Sequence, residues 1–170
     1  MNIGIILAAG SSNRYKGNIP KQFQLFEKKM IVEYSINTFY NHSGIHEVIL
    51  VVPKKYFDFA NQNIKNCRIL VGGKTRQESS FIALNACPSK TKNVLIHDAA
   101  RPFVDNKIIT ECLENLKKNK AVCPALASTD TVAKVKGDKV EKILDRSRLF
   151  RLQTPQAFNY KVLFESYKKI

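Results

Sequence analysis

The sequence has no tryptophan, few glycines and prolines, and only four cysteines among its 170 residues. Those cysteines form no CxxC pair, and no histidine lies close enough to complete a zinc pattern, so we expect free, buried thiols in a reducing compartment. With 44% hydrophobic and 25% charged residues, the composition excludes disordered, collagen-like and disulfide-scaffold proteins. A globular protein of one domain, residues 1–170, is expected from this length.

Long apolar runs are also missing. No segment approaches the roughly 20 apolar residues that span a bilayer. The first ten residues lack a basic region, and their apolar stretch, Ile3–Ala9, is too short for a secretion signal. The sequence therefore predicts a cytoplasmic protein without a membrane partner.

Acidic residues are scarce: 14 Asp and Glu stand against 28 Lys and Arg, which gives a net charge of +14. Most of these cations are lysines, which favours an ordinary solvated surface as the explanation of the net charge. No aromatic and basic interleaving or helix-turn-helix signature accompanies them, so no nucleic-acid partner is expected. The rival hypothesis of a nucleic-acid-binding module would require binding to random-sequence DNA with a steep salt dependence.

Four apolar, β-branched runs recur at intervals that suit βαβ units: Ile3–Leu7, Val48–Val52, Arg68–Val71 and Val94–His97. Continuous apolar runs are typical of parallel strands that helices cover on both faces. Helical spacing of apolar residues occurs between or after them, in Met30–Tyr40, Arg76–Ala86, Asn106–Lys118 and the final segment from Asn159. Asp105 is a predicted cap. These patterns predict a doubly wound α/β fold.

A different period begins near residue 130. Two segments, Thr131–Val135 and Val140–Leu144, alternate valine with polar residues around a turn-forming Lys-Gly-Asp-Lys centre. We predict a β-hairpin here. Since a two-stranded hairpin is at best marginally stable in water, it is expected to pack on another subunit or over a site, although a hairpin without a partner stays possible.

Four motifs in the chain carry residues suited to phosphate chemistry: AAGSSNRYKGNIPKQF, GGKTRQES, HDAARPF and DRSRLFRLQTPQAF. Small residues after the first strand let backbone N–H groups approach a phosphate, and Arg14 and Lys21 add positive charge. A glycine pair before a helix permits positive φ and close backbone approach, and the helix N-terminus attracts anions. Asp98 follows a strand, where a carboxylate can hold Mg²⁺. Each motif alone also fits an ordinary loop, a cap or a charged rim, and His97 fits a buried core histidine.

In this order the motifs resemble the 2-C-methyl-D-erythritol 4-phosphate cytidylyltransferase family. The resemblance implies a Rossmann-like, mostly parallel sheet of the nucleotide-diphospho-sugar transferase type, with an inserted β-hairpin arm at about residues 130–150. It also implies that CTP and methylerythritol 4-phosphate give 4-diphosphocytidyl-2-C-methyl-D-erythritol and pyrophosphate, in the non-mevalonate route to isoprenoid precursors.

The resemblance implies a role for each matching residue. Arg14 and Lys21 are the expected catalytic cations. Asp98 is the expected ligand of Mg²⁺ or another divalent cation. CTP is expected to contact Ala8, Ala9, Gly10, Ser11, Gly73, Arg76 and Ser79. The acceptor is expected to contact Ala99, Arg101, Thr131, Arg146 and Thr154, with Arg146 delivered by the hairpin arm of the neighbouring subunit in a homodimer.

Two alternatives stay open. The segment GNIPKQF also resembles ribitol 5-phosphate cytidylyltransferases, which make CDP-ribitol. Members of the family usually extend further at the C-terminal end, through a segment with more acceptor and phosphate contacts, so we expect this chain to be either a fragment or a catalytically impaired remnant that binds nucleotide or dimerises.

Overall fold

The computed structural model describes residues 1–10 and 19–169. Within them the strands are β1 (Asn2–Leu7), β2 (Leu25–Phe26), β3 (Lys29–Met30), β4 (Glu47–Val52), β5 (Arg68–Val71), β6 (Asn93–Asp98), β7 (Ala121–Val122), β8 (Ala125–Ala127), β9 (Ala133–Lys136), β10 (Lys139–Ile143), β11 (Phe150–Leu152) and β12 (Gln156–Asn159). The α-helices are α1 (Ile31–Asn41), α2 (Phe57–Asn63), α3 (Arg76–Asn85), α4 (Asn106–Asn115) and α5 (Tyr160–Tyr167).

Six strands form the central sheet in the order β5-β4-β1-β6-β12-β7. β1 pairs in parallel with β4 and β6, and β4 pairs in parallel with β5. β12 runs antiparallel to both β6 and β7. The predicted mostly parallel α/β sheet is therefore confirmed, and the carboxyl ends of β1, β4, β5 and β6 meet at one end of the sheet.

The apolar strands are buried on both faces of the sheet. On one face, Ile6 and Leu50 pack in a core with residues of α1 and α4. On the other, Ile5 and Ile49 pack in a second core with residues of α3 and α5. Successive side chains of a strand point to opposite faces, so each core takes every second residue. Together the two cores require apolar residues along the whole strand, which explains the continuous runs.

Side-chain caps mark where α3 and α4 begin. The Oδ1 atom of Asp105 accepts a hydrogen bond from the Ile108 N–H at 2.8 Å, which confirms the predicted cap of α4. The Oγ1 atom of Thr75 accepts one from the Glu78 N–H at 3.0 Å at the start of α3. Within the described part of the chain, no helix is long and apolar enough to cross a membrane.

The hairpin arm, residues 130–150, contains β9 and β10 as predicted. They join through a turn at Gly137, whose φ of 62° suits glycine. The register shifts between Val140 and Lys142, so Glu141 is an extra residue of the kind found in a β-bulge. That extra residue keeps Ile143 on the same face of the arm as Val140.

All four cysteines are free, but only Cys112 is fully buried and the other three are half-buried. The prediction that the thiols are free is therefore confirmed, and the prediction that they are buried is wrong for the three half-buried cysteines. Burial raises the pKa of Cys67 to about 12 and that of Cys112 to about 11. These two thiols are protonated, and hence poor nucleophiles, at physiological pH.

Candidate active site

Three loops meet at the carboxyl ends of the parallel strands. The Ala8 N–H donates to the Val51 carbonyl at 2.8 Å, and the Gly72 N–H donates to the Val52 carbonyl at 2.8 Å. The Ala99 N–H donates to the Leu7 carbonyl at 3.0 Å. The strand pairing thus continues past the strand ends and places the loops after β1, β5 and β6 side by side, where open α/β sheets bind their ligands.

The glycine pair lets the loop after β5 come close to the loop after β1. A Cβ atom on Gly72 would lie 2.6 Å from the Cβ of Ala9, which is closer than two non-bonded carbon atoms can approach. Neither Gly72 nor Gly73 has a positive φ. Of the two properties that a glycine pair permits, the structure uses close approach and not a positive φ.

The loop between β5 and α3, residues 72–75, is called the glycine loop below. The N-terminal end of α3 orders this loop. The carboxylate of Glu78 accepts a hydrogen bond from the Lys74 N–H at 2.6 Å. The hydroxyl of Ser79, which is buried, accepts one from the Gly73 N–H at 3.2 Å. The predicted CTP-binding residues Gly73, Arg76 and Ser79 are thus brought together, and Ser79 acts here by holding the loop.

A carboxylate between two guanidinium groups lies at the end of β6. The Oδ1 of Asp98 lies 3.2 Å from the Nε of Arg76, and its Oδ2 lies 3.7 Å from the Nε of Arg101. Arg76 also donates to the Oε1 of Gln156 at 3.2 Å, and Arg101 donates to the Oε1 of Gln153. Asp98, Arg76 and Arg101 are called the Asp98 cluster below. Together they carry one excess positive charge, which suits a polyanionic ligand.

The predicted metal site can be tested against its donors. In residues 1–10 and 19–169, no group of three His, Cys, Asp or Glu side chains could hold an ion. Mg²⁺ in nucleotide sites is commonly held by one or two carboxylates together with substrate phosphates. The Asp98 side chain, 36% exposed at the strand end, therefore fits a metal that the substrate shares.

His97 is buried in the core below this cluster, with its ring centroid 5.6 Å from that of Phe39. Its Nε2 lies 2.9 Å from the Arg101 carbonyl oxygen, and its Nδ1 lies 3.0 Å from the hydroxyl of Thr154. Burial lowers the pKa of His97, so its ring is neutral at physiological pH. The hypothesis of a buried, hydrogen-bonded core histidine is confirmed.

Gln22 joins the segment of Lys21 to the loop after β1. Its Nε2 donates to the Ala8 carbonyl at 2.6 Å and to the Gly10 carbonyl at 3.3 Å. Gln22 and the adjacent Phe23 are buried, whereas Lys21 is exposed. Lys21 is thus held beside the loop with its ammonium group in solvent. The other residues predicted in this loop, Ser11 and Arg14, lie outside the described residues.

We expect Gln22→Leu to weaken this junction. The substitution leaves the Ala8 carbonyl without its buried donor, which costs about 1–3 kcal/mol. Because Gln22 joins the segment of Lys21 to this loop, both turnover and the affinity of the site for its ligand should fall. Steady-state kinetics and thermal unfolding test this, with Gln62→Leu on the exposed face of α2 as the matched control. Unchanged kinetics in Gln22→Leu would contradict it.

The remaining predicted residues separate into two groups. The side chains of Ala8 and Ala99 are buried in the core, so only their backbone can meet a ligand. Thr131 and Arg146 are exposed on the hairpin arm. Among the described residues, no hydrogen bond or ion pair joins either of them to the Asp98 cluster.

Sequence reasoning missed Gln22, Gln153 and Gln156, and it assigned His97 no functional role. Gln22 follows Lys21 directly, and the other two glutamines flank Thr154 in the QTPQ motif. Their positions beside predicted site residues were the available signal. The partners that tie these glutamines to the site, Ala8, Arg76 and Arg101, are not their neighbours in the sequence, and the motif alone does not identify them.

The mostly parallel sheet, the glycine loop and the Asp98 cluster define a Rossmann-like nucleotidyltransferase fold. Within that class, the chain belongs to the 2-C-methyl-D-erythritol 4-phosphate cytidylyltransferase family, whose model matches residues 3–170.

Three similar proteins illustrate the relationship. The "Bifunctional enzyme IspD/IspF" of Pelagibacter ubique is 43% identical over 163 residues, which cover 95% of this chain and 44% of that protein. A solved structure of 4-diphosphocytidyl-2C-methyl-D-erythritol synthase from Anaerococcus prevotii has a TM-score of 0.85 and 31% identity, and the match covers 99% of this chain and 75% of that one. A bifunctional ribulose 5-phosphate reductase/CDP-ribitol pyrophosphorylase of Haemophilus influenzae is 36% identical over 180 residues, covering 98% and 37%. The chain thus spans less than half the length of the two bifunctional relatives.

Proposed function

We propose that this chain supplies the site of a cytidylyltransferase that converts CTP and 2-C-methyl-D-erythritol 4-phosphate to 4-diphosphocytidyl-2-C-methyl-D-erythritol and pyrophosphate. The observation that carries the proposal is the convergence of the glycine loop, the Lys21 segment and the Asp98 cluster at one end of the sheet. Membership of the family supports the same substrates.

The reaction balances without a covalent enzyme intermediate. An anionic phosphate oxygen of the acceptor attacks the α-phosphorus of CTP, and the bond from that phosphorus to the bridging oxygen breaks. The electron pair leaves with pyrophosphate. No proton has to be removed from the nucleophile, so positioning and charge neutralisation are the contributions required of the protein.

Each part of the site has a share in that work. The glycine loop would receive the cytidine, and the exposed ammonium of Lys21, together with Arg14, would neutralise the charge that develops on the α-phosphate. Mg²⁺, or another divalent cation, held by Asp98 and the substrate phosphates would supply Lewis-acid stabilisation of the same charge. Arg101 and Thr154 would contact the acceptor beside the metal.

A second acceptor is supported by one observation. The Haemophilus influenzae relative is named for CDP-ribitol synthesis, and the polyol part of ribitol 5-phosphate resembles that of methylerythritol phosphate. The chain could therefore transfer cytidylate to ribitol 5-phosphate with the same loops. The family model and the Anaerococcus prevotii structure favour methylerythritol phosphate.

Pyrophosphate release decides between these functions. The protein is incubated with CTP and Mg²⁺, and each acceptor is offered separately. Release that depends on methylerythritol 4-phosphate is the expected result. Release with ribitol 5-phosphate alone would replace the proposal with the alternative, and no release with either acceptor would favour a catalytically impaired remnant.

We further propose that the chain forms a homodimer through the hairpin arm. The arm exposes Val135, Val140 and Ile143, each at least 58% accessible, on a two-stranded sheet. Such a sheet is marginal alone, and a second copy would bury this apolar face. In that dimer Arg146 of the arm would serve the site of the neighbouring subunit, which accounts for its separation from the Asp98 cluster here.

We expect the double substitution Val140→Lys/Ile143→Lys to give a monomer with reduced activity. Charges on the apolar face of the arm oppose its burial, and the loss of the dimer removes Arg146 from the neighbouring site. Sedimentation and the acceptor KM measure the two effects. Val162→Lys on α5, which is also partly exposed, is the control and should leave the oligomeric state unchanged. A dimeric double variant would refute this interface.

A further inference from the structure

His97 and Thr154 belong to a chain of hydrogen bonds whose direction can be worked out. A carbonyl oxygen only accepts, so the Nε2 of His97, 2.9 Å from the Arg101 carbonyl, carries a proton. The ring is buried, and among the described residues its nitrogens form hydrogen bonds only with the Arg101 carbonyl and the Thr154 hydroxyl. A second proton would leave a buried cation without an anionic hydrogen-bond partner, so Nδ1 is unprotonated and acts as an acceptor. The only hydrogen that can fill the 3.0 Å contact between Nδ1 and Thr154 Oγ1 is therefore the hydroxyl hydrogen of Thr154.

The hydroxyl oxygen of Thr154 has a second contact. It accepts a hydrogen bond from the Asp98 N–H at 3.3 Å. With its hydrogen directed at His97 and one lone pair used by Asp98, the oxygen keeps one lone pair for a ligand. Thr154 is half-buried, so this lone pair is the part of its side chain that can act in recognition.

We propose that His97 is a positioning residue that makes Thr154 a pure hydrogen-bond acceptor toward the substrate. Thr154 then receives a hydrogen bond from a hydroxyl group of the acceptor's polyol and cannot donate one to a phosphate. The ionised phosphate groups of both substrates only accept, so Thr154 cannot recognise a phosphate and pairs with a hydroxyl group instead. This inference rests on the proposed function, since it specifies how that site distinguishes the polyol from the phosphates.

Two substitutions separate the contacts of His97. His97→Asn places an amide oxygen near the position of Nδ1 and loses the bond to Arg101. His97→Gln places an amide group near the position of Nε2 and loses the acceptor for Thr154. We expect His97→Gln to raise the KM for methylerythritol 4-phosphate about fivefold, the effect of one neutral hydrogen bond. His97→Asn should restore it to near the wild-type value, and the KM for CTP should stay unchanged in both.

Thr154→Val supplies the second arm of the test and removes the hydroxyl without large loss of volume. It should raise the acceptor KM by the same factor as His97→Gln, and the double variant should be no worse than either single one. Additive losses, or equal losses in His97→Asn and His97→Gln with both KM values raised, would overturn the inference in favour of a structural role.

The tautomer of His97 can be measured without any turnover. The chain has three histidines, so comparison of the wild type with His97→Gln identifies the imidazole ¹⁵N signals of His97. We expect a neutral ring with its proton on Nε2. A proton on Nδ1, or on both nitrogens at neutral pH, would overturn the inference. A wild-type protein that releases no pyrophosphate with either acceptor would instead refute the proposed function and leave this measurement decisive.

Discussion

Lys21→Ala is expected to lower kcat by about 100-fold or more, the effect seen when one group that stabilises a transition state is removed, while the KM for CTP changes little. The ammonium group of Lys21 lies on an exposed side chain beside the loop after β1. Several other groups can hold the triphosphate in the ground state. The charge on the α-phosphate grows only as the acceptor oxygen attacks, so the loss should fall mainly on turnover.

Two variants control this experiment. Lys21→Arg keeps the positive charge but changes its shape, and it should retain more activity than alanine at this position. Lys117→Ala removes the same charge from the turn after α4, where the side chain is 67% exposed, and should have wild-type kinetics. Equal losses of turnover and CTP binding in Lys21→Ala would assign Lys21 to ground-state binding alone.

The parallel strands could be predicted from the sequence because each has to supply two cores. Ile5 and Ile6, for example, belong to different cores on opposite faces of the sheet, and this requirement leaves a continuous apolar run that is easy to recognise. Elements with few buried apolar residues leave no such pattern. β12 has polar residues at both ends and fully buries only Ala157, and α2 buries only Ala60, so neither was predicted, although β12 lies between β6 and β7 in the central sheet.

The site was predictable at the level of loops and less so at the level of contacts. The sequence places Arg76 after the predicted strand Arg68–Val71 and Asp98 after the predicted strand Val94–His97. Two strands separate these in the sheet, and the loops that follow them meet at its carboxyl end. The ion pair of the two residues, however, depends on where α3 begins, and Thr75 and Glu78 define that point through capping bonds. The partner of Arg76 on the other side, Gln156, comes from β12, an element that the sequence pattern did not reveal.

Part of the net charge of +14 is concentrated beside Asp98. Of the seven arginines in the sequence, Arg76 and Arg101 both contact Asp98. The forked guanidinium group matches phosphate oxygens in pairs, whereas the many surface lysines act as solvated point charges. The arrangement supports phosphate recognition by a few placed arginines.

Asp98→Asn should separate activity from stability. We expect kcat to fall about 100-fold or more, because the amide is a weak ligand for a divalent cation and removes the negative charge that the proposed metal site needs. Both ion pairs of Asp98 are substantially exposed, so their loss should cost about 0–1 kcal/mol, or about 2–4 °C in Tm at most. The Asp98 N–H that binds Thr154 is a backbone group and survives the substitution.

The KM for CTP distinguishes this explanation from simple damage to the site. Without the carboxylate, Arg76 and Arg101 present their full charge to the triphosphate, so CTP should bind as well as before or more tightly while turnover falls. The Mg²⁺ concentration that gives half-maximal activity should rise. Asp105→Asn is the matched control, since asparagine caps a helix about as well as aspartate; it should retain wild-type kinetics. If Asp98→Asn loses CTP affinity and turnover in equal proportion, with no change in its Mg²⁺ requirement, Asp98 organises the two arginines and does not bind the metal.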